Sequence, residues 1–195
     1  NNHNFVDGEC TACGEKEGTQ VTSKYTKVTD ASTLKAGDQI VFVCESKKAV
    51  ISAFGTGKFF TSVSYTENIS DAENVIIITL GGSEGAWTFT TSEGLIGTSA
   101  AKALNCKGNG TTTWTIAIDA DGNATITSTN TNYGKILYNS GSPRFLNYTS
   151  SVSASMLLPQ IYRYESSATS CEHDYGTLIA EIPATCNAEG TIAHY

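Results

Sequence analysis

From Gln39 onward, short runs of alternating apolar and polar side chains follow one another, each ended by Gly, Asn, Asp or Ser. A period of two puts one face of a strand against a core and the other toward solvent. On that pattern the chain predicts strands at Gln39–Cys44, Ala49–Ala53, Lys58–Tyr65 and Val75–Leu80. Further strands are predicted at Trp87–Thr91, Leu95–Thr98, Ala103–Cys106 and Thr113–Asp119. The last four are Ala124–Ser128, Lys135–Asn139, Arg144–Tyr148 and Pro159–Tyr164. No segment sustains a 3.6-residue apolar period, and the best short helical candidate is the polar DASTLKAG from Asp30.

The strands repeat in groups of four. Ile51 precedes Phe59 by eight residues, Ile96 precedes Leu104 by eight, and Leu137 precedes Phe145 by eight. Each pair brackets a turn: SAFGTGK, GTSAAKA or YNSGSPR. A strand carrying Val41, Trp87 or Ile126 comes before each hairpin, and one carrying Ile77, Trp114 or Ile161 comes after. The expected fold is therefore all-β: a β-trefoil-like barrel of about twelve short strands in three pseudo-repeats of about 40 residues. Closure is its physical logic, because a barrel capped by hairpins leaves few free strand edges. An irregular β-barrel or a sandwich is the alternative. The expected core comprises Trp87, Trp114, Ile126, Leu137, Phe145 and Ile161, with Val41, Ile51, Phe59 and Ile77. The β-domain is placed at residues 25–165, between small non-barrel flanks at 1–24 and 166–195.

Several of these segments carry a resemblance. VTDASTLKAGDQIVFV (Val28–Val43), WTIAIDADGNATITS (Trp114–Ser128), KILYN (Lys135–Asn139), RFLNY (Arg144–Tyr148) and IYRYE (Ile161–Glu165) resemble an uncharacterised β-rich module. That module recurs in secreted and surface proteins of gut bacteria, often appended to enzymes or repeat arrays. The resemblance implies an extracellular or cell-surface location and a non-catalytic accessory role. The second hairpin departs from it, since GLIGTS lacks an aromatic residue. The flanks resemble partial C-x-H…C-x-x-C repeats of large bacterial surface proteins: HNFVDGECTACG from His3 looks like the end of one, and CEHDYG from Cys171 like the start of another. The chain accordingly reads as a piece of a longer protein.

Charge narrows the partners. The 195 residues carry a formal net charge of -7, and their lysines are scattered singly or in pairs, so no basic stripe is available to neutralise nucleic-acid phosphates. No apolar run approaches the roughly 20 residues needed to span a bilayer as a helix. As this fragment the chain is expected to be a monomer whose partner is a glycan or a surface protein.

Six cysteines fall into two groups. Cys44 and Cys106 sit within apolar strand patterns and read as small buried hydrophobes. Cys10 and Cys13, with Cys171 and His173, would supply a closed Cys₃His zinc set if the flanks met. The alternatives are free thiols or a local Cys10–Cys13 disulfide. The flanks are expected to extend separately and share no metal, which leaves the chain without a cofactor.

Other motif matches dissolve on inspection. Asp119-Ala-Asp121-Gly122-Asn123 starts like a calcium loop but lacks the distal Glu, and reads as a hairpin turn. Ser99-Ala-Ala-Lys102 falls in a hairpin, where no helix brings Lys beside Ser. Gly55-Thr-Gly57-Lys58 is too short for a phosphate loop. All three histidines, His3, His173 and His194, lie in the flanks, so no enzyme class is indicated. The richest candidate for recognition is the third hairpin, with Tyr133, Tyr138, Asn139, Arg144, Asn147 and Tyr148. Tyrosine faces suit sugar rings, and Asn and Arg supply forked hydrogen bonds. Such a domain would bind a glycan or cell-surface component. Its rival is a structural spacer or protein-interaction module.

Overall fold

The computed structural model describes residues 5–6, 9–10 and 23–166. The larger of two compact units spans Thr22–Ser167. In the other unit the described residues are two short strands, β1 (Phe5–Val6) and β2 (Glu9–Cys10), paired antiparallel with Phe5 opposite Cys10.

The larger unit is all-β. Its first third holds β3 (Ser23–Lys27), β4 (Gln39–Cys44), β5 (Ala49–Gly55) and β6 (Phe59–Ser64). Next come β7 (Ile78–Ser83), β8 (Ala86–Thr91), β9 (Gly94–Leu95), β10 (Gly97–Thr98) and β11 (Leu104–Asn105). The chain continues through β12 (Trp114–Ile118), β13 (Ala124–Ser128), β14 (Lys135–Asn139) and β15 (Arg144–Tyr148). It ends in β16 (Met156–Leu157) and β17 (Gln160–Ser166). The helical candidate at Asp30 proves to be one 3-10 turn, Ala31–Thr33, capped by the Asp30 side chain accepting from Ser32 N at 2.9 Å.

Antiparallel pairings run from β17 to β4, β7, β8, β12 and β13. The Ala124 amide donates to the Pro159 carbonyl at 2.7 Å, which leads from β13 back toward β17, so the sheet curls into a partial ring. Three hairpins project from it: β5–β6, β10–β11 and β14–β15. They meet one another. Phe60 pairs with Phe145, Leu104 N donates to Lys58 O at 3.0 Å, and Lys102 N donates to Asn147 O at 2.8 Å.

Alternation explains the core. In β13 the inward positions are Ala124, Ile126 and Ser128, and across the pair Trp114 stands opposite Ser128 and Ile116 opposite Ile126. Trp87, Trp114, Ile126, Leu137, Phe145, Ile161, Val41 and Ile51 are buried as their positions predict. An aromatic chain runs through the core of the larger unit: Phe42 meets Phe89 edge-on at 5.6 Å and Phe145 at 6.4 Å, and Phe89 stacks on Trp114 at 5.8 Å. Two expectations fail by one residue. Phe59 and Ile77 are only half-buried, and their neighbours Phe60 and Ile78 face the core. In Phe-Phe and Ile-Ile-Ile runs either register is equally apolar, and a shift of one exchanges the faces.

The strand limits also shift. Val75–Ile77 precedes β7 as an irregular connection, with Ile76 N donating to Ile51 O. The predicted Leu95–Thr98 strand splits at buried Ile96, so that β9 pairs with β8 and β10 with β11. Neither β3 nor β16 was expected. β3 pairs with β17 over five positions, from Tyr162 opposite Lys27 to Ser166 opposite Ser23.

Candidate functional site

The third hairpin consumes its own polar groups. Asn147 is 0 % exposed, Tyr148 3 % and Tyr138 4 %, so none of the three presents a face to a sugar. Tyr138 packs its ring on Phe145 at 5.0 Å. The Tyr148 hydroxyl accepts from Asn139 Nδ2 at 3.3 Å, and the Asn139 Oδ1 caps its own turn by accepting from Gly141 N and Ser142 N. Arg144 donates from Nε to Ser142 O and lays its guanidinium 4.3 Å above the Phe59 ring. Tyr133, half-buried in the 3-10 turn Thr131–Tyr133, offers its carbonyl to Asn147 Nδ2. Of the six residues expected to form a recognition hairpin, Tyr138, Asn147 and Tyr148 thus face inward, and Tyr133, Asn139 and Arg144 are half-buried. The sequence missed this because β14 and β15 are covered on both faces, which tyrosine and asparagine tolerate when paired.

The tyrosines that do line a cleft come from elsewhere. Tyr25 of β3, Tyr162 of β17 and Tyr65, just after β6, surround a space of about 320 Å³ closed by Glu67, Asn68, Ile69 and Ser70. Register builds the aromatic wall. Tyr25 is opposite Tyr164 and Lys27 opposite Tyr162, so all four side chains share one face of the β3–β17 ribbon. The Tyr25 and Tyr164 rings are 5.2 Å apart and tilted.

Beside this wall the Tyr162 hydroxyl donates to Glu45 Oε1 at 2.8 Å, and Lys27 Nζ sits 2.8 Å from the same oxygen. Burial, followed by the hydrogen bond to Glu45 and its charge, pushes the Tyr162 phenol far up. Tyr25 is raised by burial and then by Tyr164, and Tyr65 by burial and then by Glu45. All three therefore stay protonated donors at physiological pH.

The opposite rim is held in shape. The Asp71 carboxylate accepts from Thr66 Oγ1 at 2.7 Å, Glu67 N at 3.0 Å and Asn68 N at 2.8 Å. Those bonds, the Asn68 amide first, hold its carboxyl below the usual range and fix how Glu67 and Asn68 face the cleft.

A larger open cleft of about 580 Å³ lies between Gln39, Asn74, Val75, Ile77, Thr90 and Glu93. No aromatic ring lines it, and neither ion pair among the described residues reaches it. No protein-family model matches this chain, and no curated protein matches it.

The remaining motifs resolve simply. Asp119 Oδ1 accepts from Asp121 N at 3.0 Å and Asn123 N at 2.8 Å, so its carboxylate closes the β12–β13 turn with Gly122 at φ +82°. Ser99–Lys102 and Thr56–Lys58 are hairpin turns. Cys44 is a buried free thiol raised by burial; Cys106, also free, is half-buried and pushed up to about 11 by burial. Among the described residues no group of three or more His, Cys, Asp or Glu converges on a metal position. Cys10 lies in β2, while Cys13, Cys171 and His173 fall outside the described residues, as do all three histidines. No helix among the described residues is long and apolar enough to cross a membrane.

Proposed function

We propose that the Thr22–Ser167 unit is a non-catalytic recognition domain of β-trefoil architecture, acting outside the cell, that seats a neutral glycan in the Tyr25–Tyr65–Tyr162 cleft. The architectural reading is supported by three hairpins that contact one another and by a ring of pairings through β4, β7, β8, β12, β13 and β17. The extracellular reading rests on the resemblance of the strand segments to a surface-protein module.

The observation that carries the binding reading is the tyrosine wall facing a fixed polar rim. Sugar rings present apolar C–H faces to aromatic rings and hydroxyls to amides and carboxylates. At about 320 Å³ the cleft is at the small end of the roughly 300–1,000 Å³ usual for ligand sites, a size suited to a short saccharide. Glu67 in its lining, with the chain's net charge of -7, disfavours acidic sugars there.

A spacer role is the competing reading. One observation favours it: β3 and β17 pair, so the unit's first and last strands lie side by side, as suits a module set into an array. An array of neutral oligosaccharides separates the two. Saturable binding weakened about tenfold by Tyr65→Ala, equivalent to about 1.4 kcal/mol, supports recognition. Absence of binding to every sugar leaves the spacer.

A further inference from the structure

The acidic chain hides a basic end. Residues 49–64, 97–107 and 135–148 carry the three hairpins, and none of the chain's 19 Asp and Glu falls in them. Each hairpin instead places a cation at or beside its turn: Lys58, Lys102 and Arg144. The hairpin contacts join these into one patch. Lys58 O accepts from Leu104 N at 3.0 Å, Arg144 covers Phe59, the residue after Lys58, and Lys102 N donates to Asn147 O beside Tyr148. Lys102 Nζ stands 5.9 Å from the centre of the Tyr148 ring. Lys58 and Lys102 are exposed. Among the described residues the ion pairs are Lys27–Glu45 and Arg163–Asp38, so no carboxylate neutralises any of the three.

The backbone sharpens the point. Lys58 and Lys102 lie at φ +65° and +59°, left-handed conformations that glycine adopts without steric cost. In a chain with 18 glycines, three lysines among the described residues nonetheless keep this conformation, and besides Lys48 at φ +46° the other two stand in hairpin turns that meet. Strain retained at a cluster of like charges points to a use for the side chains.

We propose that this end, where β5–β6, β10–β11 and β14–β15 meet, is a second interaction surface, for an acidic polysaccharide bearing carboxylate or sulfate groups. Three cations on three separate turns match a polymer whose charges are spaced along it. The hydroxyl side chains of Thr56 and Ser99, exposed in the same turns as Lys58 and Lys102, suit its sugar hydroxyls. Nucleic acid matches less well, because its dense phosphate charge meets only three cations on a chain of net charge -7. The surface is independent of the tyrosine cleft, which takes its rings from β3, β17 and the segment after β6.

The test uses the whole 195-residue chain on immobilised dextran sulfate and polygalacturonate, with neutral dextran, single-stranded DNA and phosphatidylserine vesicles as comparators. Both acidic polysaccharides should retain the protein and neutral dextran should not. With three charge contacts, affinity should fall about 20-fold between 50 and 200 mM salt, using a slope of about -0.7 per contact. The Lys58→Gly/Lys102→Gly double variant should bind at least tenfold more weakly while melting no lower than the parent, because glycine suits both turns. Lys27→Ala/Lys35→Ala, which likewise removes two positive charges but away from the hairpin turns, should bind like the parent. The proposal is overturned by lack of retention, by equal retention of the double variant, or by tighter binding to the DNA or the vesicles than to both polysaccharides.

Discussion

Replacing Asn147 by alanine is expected to loosen the fold and leave sugar binding at the cleft untouched. The side chain is 0 % exposed and satisfies four groups. Its two Nδ2 hydrogens are shared among Thr98 Oγ1 at 3.0 Å, Ala100 O at 2.8 Å and Tyr133 O at 2.8 Å, and its Oδ1 accepts from Ala103 N at 3.1 Å. The second and third hairpins are thus joined through one amide. Alanine strands one carbonyl, Tyr133 O, and one amide, Ala103 N, in part-buried surroundings, while Ala100 O keeps the Thr98 hydroxyl at 2.7 Å. Each stranded group costs about 1–3 kcal/mol. Partial access of water lowers the sum, and a total of about 2–4 kcal/mol is expected. That is a large fraction of the roughly 5–15 kcal/mol typical of a domain. With a urea slope of about 2 kcal/mol/M, the unfolding midpoint should drop by about 1–2 M.

Asn147→Asp adds a signature. A carboxylate among carbonyl oxygens is held protonated, so its folded pKa rises above the unfolded value of about 3.9. The variant's deficit should therefore be small below pH 4 and widen as pH rises through and beyond that value. A midpoint shift under about 0.5 M for the alanine variant, or a pH-independent deficit for the aspartate variant, would refute the reasoning.

Trp114, fully buried and stacked on Phe89 at 5.8 Å, should cost about 3–5 kcal/mol on mutation to alanine. Its Nε1 has no partner among the described residues, so Trp114→Phe forfeits no hydrogen bond and should cost much less, as urea titration will reveal. Gly134 sits at φ +78°, and a Cβ there would run into the Tyr148 carbonyl oxygen. Gly134→Ala should lower stability by about 3 kcal/mol in the same assay. Alkaline pH should destabilise in two stages. The half-buried Cys106 thiol, raised to about 11, contributes stability that is complete below its unfolded value of 9.0 and fades as pH rises from there. Raised Tyr25, Tyr65 and Tyr162 add a further loss above pH 10. Urea midpoints that stay flat from pH 8 to 11 would contradict this.

Much of the strand framework was legible because β12 and β13 alternate cleanly and their turn carries Asp-Gly. Where both faces of a strand are covered, alternation disappears. RFLNY in β15 then looks like a hydrogen-bonding surface although four of its five residues are buried. Runs of like residues hid the register at Phe59 and Phe60, because hydrophobicity cannot choose between neighbours of one kind. The tyrosine cleft was harder still. Tyr25 stands in SKYTK, a strand with little apolar character, and only its pairing with β17 sets it beside Tyr162. The rim needed Asp71 to be seen accepting three bonds at once, which no local motif announces. One signal was available: YRY in β17 puts two tyrosines on one strand face, and a partner strand with its own tyrosine would complete a wall.

Tyrosine-ring carbon–proton NMR of the 195-residue chain, titrated with a panel of neutral oligosaccharides, tests recognition at the cleft most directly. The rings of Tyr25, Tyr65 and Tyr162 should shift together and saturably with at least one sugar, while buried Tyr138 and Tyr148 stay in place. Saturable shifts centred on Tyr138 and Tyr148, or rings that remain still across the whole panel, would contradict it.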